Sequence, residues 1–405
     1  MILQPKQHEA IHQYLLMLFC FLLPLHPRLS TLSLIFWGFN WLLSGQAFRG
    51  FKLLLKPIPI LFIGFYILHL LGLAYTDNWL EGMQKIETKL PLLVFPFILF
   101  SFPIKKEEGF RAILNSFVVG TIVASLFCLG SALYQYFTTG ENWMYYKRLG
   151  SFLGFHPTYF AMYLSLALFI VLFFLVKNYK MISQKEKIGK IILLSGFFLF
   201  VLLLSSRMTI LATSAILGMA FLLWMYFYGK IWKGIGIGLI ALMSLFFLVK
   251  KLPGLKKRTN ATIERVEKQQ KKQGVSDPRV HLWSAAWTVI QQSPIIGVGT
   301  GDAQNELVKI YKKRNYEREL RENYNSHNQY LQTTVMLGII GGLWFLVVLF
   351  LPFWMAFQQK DYLYLLFLAL IILSFLAESV LETQRGTLFF GFFHSFFMMK
   401  IFYDE

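Results

Sequence analysis

Between Ile191 and Gly229 the chain runs for 39 residues with a single charge, Arg207. One crossing of a bilayer core takes about 20 apolar residues, so a run of this length holds two crossings. A tight turn at Ser205-Ser206-Arg207 divides them. Lipid offers no partner to backbone N–H and C=O groups, so such runs must satisfy their own hydrogen bonds as helices. Similar runs recur along all 405 residues, 56% of them hydrophobic and only 15% charged. Soluble domains are about 45–50% apolar and about 25% charged. The chain therefore reads as an all-α polytopic membrane protein. About twelve transmembrane helices are expected, near residues 10–26, 29–45, 57–75, 89–103, 112–137, 156–176, 190–206, 208–228, 232–249, 327–350, 362–380 and 386–402. The first run, Ile11–Leu25, lacks an A-x-A-like site and is followed at once by another, so it reads as a span and not as a cleaved signal.

Residues 1–250 thus hold helices 1–9, residues 326–405 hold helices 10–12, and residues 251–325 form a basic loop with short helices. Short loops after even-numbered helices carry Arg49, Lys52, Lys56, Lys105, Lys106, Lys177, Lys180, Lys185, Lys187, Lys230 and Lys233; the odd-numbered ones are poorer. The Lys/Arg bias of short loops places both termini in the cytoplasm and the 251–325 loop outside. At 75 residues that loop exceeds the length of about 60 for which the rule holds, so its own charge is no objection. It contains 15 Lys/Arg and 8 Asp/Glu, a share of +7 in a net charge of +18. With no soluble nucleic-acid module in view, this charge does not point to nucleic acid.

Cys20 and Cys128 both lie inside apolar runs, where a thiol packs as a small hydrophobe. No cysteine cluster, H-E-x-x-H, D-x-D or Walker loop occurs. The segment Gly297–Gly301 follows Pro294 in a loop and not a strand, which makes a phosphate-cradling reading weak. Neither a metal nor another cofactor is called for.

The expected outer face collects Lys85, Lys89, Arg148, His156, Arg207, Arg279, His327, Glu382 and Arg385 from several connections. Titratable groups converging on one membrane face mark a functional site. His327 opens a helix in H-N-Q-Y-L-Q-T-T-V-M-L-G-I-I-G, with Asn328 beside it. At 100° per residue Gly338 falls about 20° from His327 and Gly341 about −40°, which would clear a close helix–helix seam beneath it. An imidazole titrates at about pH 6.5, which suits a general base; a polar cap over a small-residue seam is the plainer alternative. Arg207 presents a planar fork that matches phosphate oxygens; a snorkelling turn residue is the alternative. Arg279 opens an amphipathic segment behind Asp277-Pro278, with Pro at the first helical position and Trp283 and Trp287 following. Glu378 and Glu382, four apart, would share one face at the end of helix 11, with Arg385 just beyond. Lys309–Arg321 reads as a solvated helix of paired charges.

Together these residues resemble the O-antigen ligase family, which also takes in polymerases and protein O-oligosaccharyltransferases. The H-N-x9-G-x-x-G pattern at 327–341 is similar to its ligase signature, S-S-R-M-T-I-L at 205–211 to its turn arginine, and R-V-H-L-W-x3-W-x6-P-I-I-G-V-G from Arg279 to the start of its large periplasmic loop. His156-Pro157-Thr158 departs from the Pro-Asn of many relatives. The resemblance implies a GT-C-like, metal-independent glycosyltransferase of the bacterial inner membrane, with its active site on the periplasmic face. It implies undecaprenyl-diphosphate-linked glycan as donor and lipid A-core or another glycan as acceptor. It gives the donor diphosphate to Arg207 and Arg279 and the acceptor to His327. Arg148, Lys85, Lys89, Asn328, Glu382 and Arg385 stand as supporting groups. The competing readings are a polymerase of the same superfamily and a transporter or flippase. The second would use Glu378 as a proton site, but no internal repeat or pair of broken helices supports it.

Overall fold

The computed structural model describes residues 4–47, 56–227 and 278–404. Among them every regular element is helical. In chain order the α-helices of five residues or more are α1 (Pro5–Leu22), α2 (Pro27–Leu43), α3 (Pro57–Leu71), α4 (Trp79–Lys89), α5 (Pro91–Ser101), α6 (Glu107–Thr139), α7 (Pro157–Lys177), α8 (Gln184–Leu203) and α9 (Arg207–Phe227). They continue with α10 (Pro278–Gln292), α11 (Ala303–Lys313), α12 (Glu317–Arg321), α13 (Gln329–Gln358), α14 (Tyr362–Phe375) and α15 (Gln384–Asp404). Six of them start on proline, whose fixed φ suits the first turn and whose missing N–H is not needed there. Pro278 opens α10, as the Asp277-Pro278 pair predicts.

α6, α7 and α13 are each long and apolar enough to cross a membrane; α3, α14 and Arg207–Leu223 of α9 are apolar but shorter. The expected span at 89–103 is broken, since α4 ends at Lys89 and α5 has 11 residues. Eleven residues rise about 16 Å, roughly half a hydrocarbon core. The expected span 232–249 and the 251–277 part of the expected loop lie outside the described residues.

The chain forms two compact units, residues 1–120 with 277–405 and residues 121–276. In the second, Ser205 takes φ +54° and ends α8, and α9 begins at Arg207, so the 39-residue run is divided where its one charge stands. The Ser165 and Thr213 hydroxyls tie α7 to α9 at 2.7 Å.

In the first unit, α1 and α2 are joined by buried polar pairs: His8 Nδ1 with Asn40 Oδ1 at 2.8 Å, and Trp37 Nε1 donating to His12 Nδ1 at 2.9 Å. Aromatic rings fill the space between α5, α6 and α15, with Phe110 stacked on Phe396 (4.4 Å) and Phe117 edge-on to Phe393 (4.8 Å). Leaving lipid gains an aliphatic side chain little, so shape, ring geometry and interhelical hydrogen bonds hold such a bundle. Each ring pair contributes about 0.5–1.5 kcal/mol beyond its buried area.

α13 is not continuous. Gly338 takes φ +62° and ψ −163°, breaking the helix one-third of the way along. The segment after α10 lies in the break. Val298 N donates to Val335 O (2.9 Å) and Gly299 N to Met336 O (3.0 Å), while Ile339 N donates to Pro294 O (2.8 Å). The groups orphaned by the break are thereby satisfied, which is the condition for irregular backbone inside a membrane protein. The expected helix–helix seam is accordingly an extended segment laid into a broken helix. A Cβ at Gly338 would sit 2.2 Å from the Ile295 carbonyl, whereas one at Gly341 would meet Leu337 of its own helix. Gly338→Ala combines left-handed strain with a backbone clash and is expected to cost about 3 kcal/mol or more. Thermal unfolding in detergent measures it, and an unchanged melting temperature would show that the break is dispensable.

Candidate active site

His327 precedes α13 and does not belong to it. Its φ is +44°, a conformation rare outside glycine and seen most in Asn, Asp and His. Four polar neighbours hold the turn. Asn325 Oδ1 accepts the His327 amide (2.9 Å), and Asn328 caps α13 by accepting Leu331 N (3.1 Å). Gln332 Oε1 accepts both the amide (3.1 Å) and the hydroxyl (2.9 Å) of Ser326. The same run grips the connector after α14: Asn328 N donates to Ser379 Oγ (3.2 Å), Asn328 Nδ2 to Leu376 O (3.2 Å), and Leu381 N to Gln329 Oε1 (2.8 Å).

That connector carries the two glutamates, and they do not share a helical face. α14 ends at Phe375 and a 3-10 turn spans Val380–Glu382. Glu378 Oε1 lies 3.1 Å from His327 Nδ1. Glu382 turns instead to α4, with Oε1 2.7 Å from Lys89 Nζ and Oε2 2.9 Å from Lys85 Nζ. Lys89 also donates to Leu381 O (3.3 Å). Burial pushes the Glu382 carboxyl up, and the ammonium groups of Lys89 and Lys85 outweigh it, bringing it down to about 2. Burial pulls the fully enclosed Lys89 ammonium down, while Glu382 raises Lys85. His69 lies buried within the electrostatic reach of Lys89 and Glu382, and among the described residues neither ring nitrogen has a hydrogen-bond partner.

Arg279 is the second residue of α10 and is partly buried. His281, two residues on, stacks on Tyr316 (4.0 Å) and meets Glu319 Oε1 through Nδ1 (3.1 Å). The charged run 309–321 is two helices and not one, with Asn315 at φ +54° between them. Arg314 donates to Ser284 Oγ (2.6 Å) and Thr288 Oγ1 (2.7 Å) of α10. In Gly297–Gly301 the amides of Gly297, Val298, Gly299, Thr300 and Gly301 donate to Ser293 O, Val335 O, Met336 O, Gly72 O and Thr76 Oγ1. A segment whose amides are all used cannot cradle a phosphate with them. Asp302 then accepts the amides of Asp77 (2.7 Å) and Asn78 (2.9 Å), fixing the start of α4. A cleft of about 580 Å³ opens beside this tie.

Residues 190–346 match the family model for O-antigen ligase. This stretch is an O-antigen ligase domain. It contains Arg207, Arg279, His327, Asn328, Gly338 and Gly341. The chain is also similar to an uncharacterized protein of Haemophilus influenzae, 24% identical over 321 residues that cover 73% of this chain and 71% of that one. The apolar helices suit a membrane protein, and the match over residues 190–346 supports a membrane enzyme of the O-antigen ligase or polymerase type.

Within the first unit the predicted residues gather in two clusters on one connector: His327 with Asn328, and Lys85 with Lys89 and Glu382. Arg385 is the second residue of α15, just past the connector. In the second unit Arg207 is exposed at the start of α9, and Arg148 forms a surface pair with Glu141 (3.1 Å), an arrangement worth about 0–1 kcal/mol. Sequence reasoning missed Ser326, Gln329, Gln332 and Ser379. The available signal was the polar run S-H-N-Q-x-x-Q entering an otherwise apolar helix of the O-antigen ligase domain. Glu382→Gln leaves two enclosed ammonium groups without their counter-charge and is expected to cost about 3–5 kcal/mol. Because the Glu382 carboxyl falls from 4.5 to about 2, its contribution is whole above about pH 4.5 and is lost as the pH falls toward about 2. Melting temperatures across that window should drop for the wild type and lack this component in the variant; parallel curves would refute the assignment.

Proposed function

We propose that this protein transfers a glycan from undecaprenyl diphosphate to an acceptor such as lipid A-core, on the periplasmic face of the bacterial inner membrane. The observation that carries the reading is His327, set on a strained turn inside the O-antigen ligase domain. Its Nε2 has no hydrogen-bond partner among the described residues. The acceptor hydroxyl oxygen attacks the anomeric carbon of the donor sugar, and its proton passes to His327 Nε2. The bond from that carbon to the phosphate oxygen breaks, and undecaprenyl diphosphate leaves with the electron pair.

Arg207 and Arg279 are assigned to the diphosphate. Guanidinium forks fixed before reaction stabilise charge as it develops on the leaving group, without a metal. Lys85, Lys89 and Glu382 carry a net positive charge as a cluster, a field favourable to an anionic donor. Arg385 is a further supporting cation. Arg148, engaged in its surface pair, is given no role. Attack opposite the leaving group inverts the anomeric centre, and product NMR showing retention would sink that part.

The test is transfer by purified protein from an undecaprenyl-diphosphate glycan of the native host, in EDTA, with and without lipid A-core. Product on lipid A-core supports the ligase. Longer lipid-linked glycan without that acceptor identifies a polymerase, and no glycan transfer under either condition refutes the proposal. His327→Ala is expected to lower transfer by about 10²–10⁴-fold with donor binding kept. Arg207→Lys keeps the charge but loses the fork, so donor KM should rise; unchanged kinetics would leave Arg207 as a turn residue.

A further inference from the structure

Glu378 was expected on a helix face beside Glu382. It stands instead on irregular backbone, opposite the imidazole that the proposed reaction uses. We infer that Glu378 is a positioning residue for His327, fixing the ring so that Nε2 is the atom that takes the acceptor's proton. The inference rests on His327 being the base.

Three observations carry it. The Glu378 Oε1–His327 Nδ1 separation of 3.1 Å is a hydrogen-bond distance, and the carboxylate side chain is only 12% exposed. An ionised carboxylate can only accept, so Nδ1 must carry the proton and the neutral ring keeps its lone pair on Nε2. Tyr324 packs edge-on against the same ring at 5.2 Å, leaving the imidazole held from a second side. His327 remains partly open, its side chain 27% exposed.

The second observation concerns what places the carboxylate. Glu378 sits between Leu376 and Ser379, both gripped by Asn328, the residue next to the histidine. The connector and the histidine turn are therefore one hydrogen-bonded body, which places the backbone of Glu378 beside the histidine. The third is the strain itself. A positive φ at a non-glycine residue is kept only where its surroundings over-determine it, and one of the residues that hold the turn here, Asn328, also grips the backbone on either side of Glu378.

In the reaction the Nδ1 proton stays where it is. Nε2 gains the hydroxyl proton, the acceptor oxygen bonds to the anomeric carbon, and the diphosphate departs. The imidazolium so formed lies against the Glu378 carboxylate, which stabilises it. A carboxylate behind an imidazole holds tautomer and orientation in this way without itself taking the proton.

The experiment combines kinetics with ring-nitrogen NMR on the full-length protein in detergent. Glu378→Gln is expected to lower kcat by at least about tenfold and by no more than His327→Ala does, about 10²–10⁴-fold, with donor KM unchanged. Glu378→Asp should recover part of the loss. Placed on His327→Ala, Glu378→Gln should cause no further loss; additive losses would mean that Glu378 acts elsewhere. Wild-type kcat in Glu378→Gln with His327→Ala inactive would overturn this inference alone. Full activity in His327→Ala would overturn the reading beneath it. In wild-type protein labelled with 15N-histidine, with His327 assigned by its loss in His327→Gln, the Nδ1–H tautomer is expected at neutral pH. An Nε2–H signal would refute the inference whatever the variants do.

Discussion

Gln329 accepts the Leu381 amide, Asn328 binds both Ser379 and Leu376, and Gln332 holds Ser326. These side-chain hydrogen bonds bring residues some 50 positions apart into one body at the mouth of α13. Amides and carbonyls in the connector between α14 and α15 have no helix to pair with, and burying them unpaired would cost about 1–3 kcal/mol each. The glutamine and asparagine side chains supply what the missing helix would have supplied. In doing so they set His327 in its strained turn and put Glu378 behind it.

The other end of the connector is held by charge. Lys89 is fully enclosed and Lys85 mostly so, and both reach Glu382. Enclosed charges do little for stability unless each has a partner, and removing one partner is more damaging than never having built the pair. The cluster makes the position of α4 conditional on the connector, while Asp302 makes the start of α4 conditional on the segment after α10. The amphipathic helix 79–89 is thus clamped at both ends to parts of the chain that flank the histidine.

The segment between α10 and α11 plays a third part. It threads the break at Gly338, spends its amides on α13 and on the end of α3, and delivers Asp302. Glycines at 297, 299 and 338 all take positive φ, and at 297 and 338 the facing backbone also leaves no room for a Cβ. The glycine-rich segment, only weakly phosphate-loop-like in the sequence, is a structural splice.

The sequence by itself determined that the chain is helical and membrane-bound, because backbone satisfaction in lipid leaves long apolar runs no other course. It determined the helix start at Pro278, the turn at Ser205 ahead of Arg207, and, through three short motifs, the family that residues 190–346 match. It also singled out His327, Lys85, Lys89 and Glu382. Only the tertiary structure decided what these residues face. Periodicity reports neighbours within about four positions, whereas Glu382 finds Lys89 across 293 positions and His327 finds Glu378 across 51. The helix expected to carry both glutamates stops at Phe375, and the connector beyond it bonds instead to the glutamine and asparagine side chains at the start of α13. That one termination turned Glu378 toward the histidine and Glu382 toward the lysines, and no local pattern in the chain announces it.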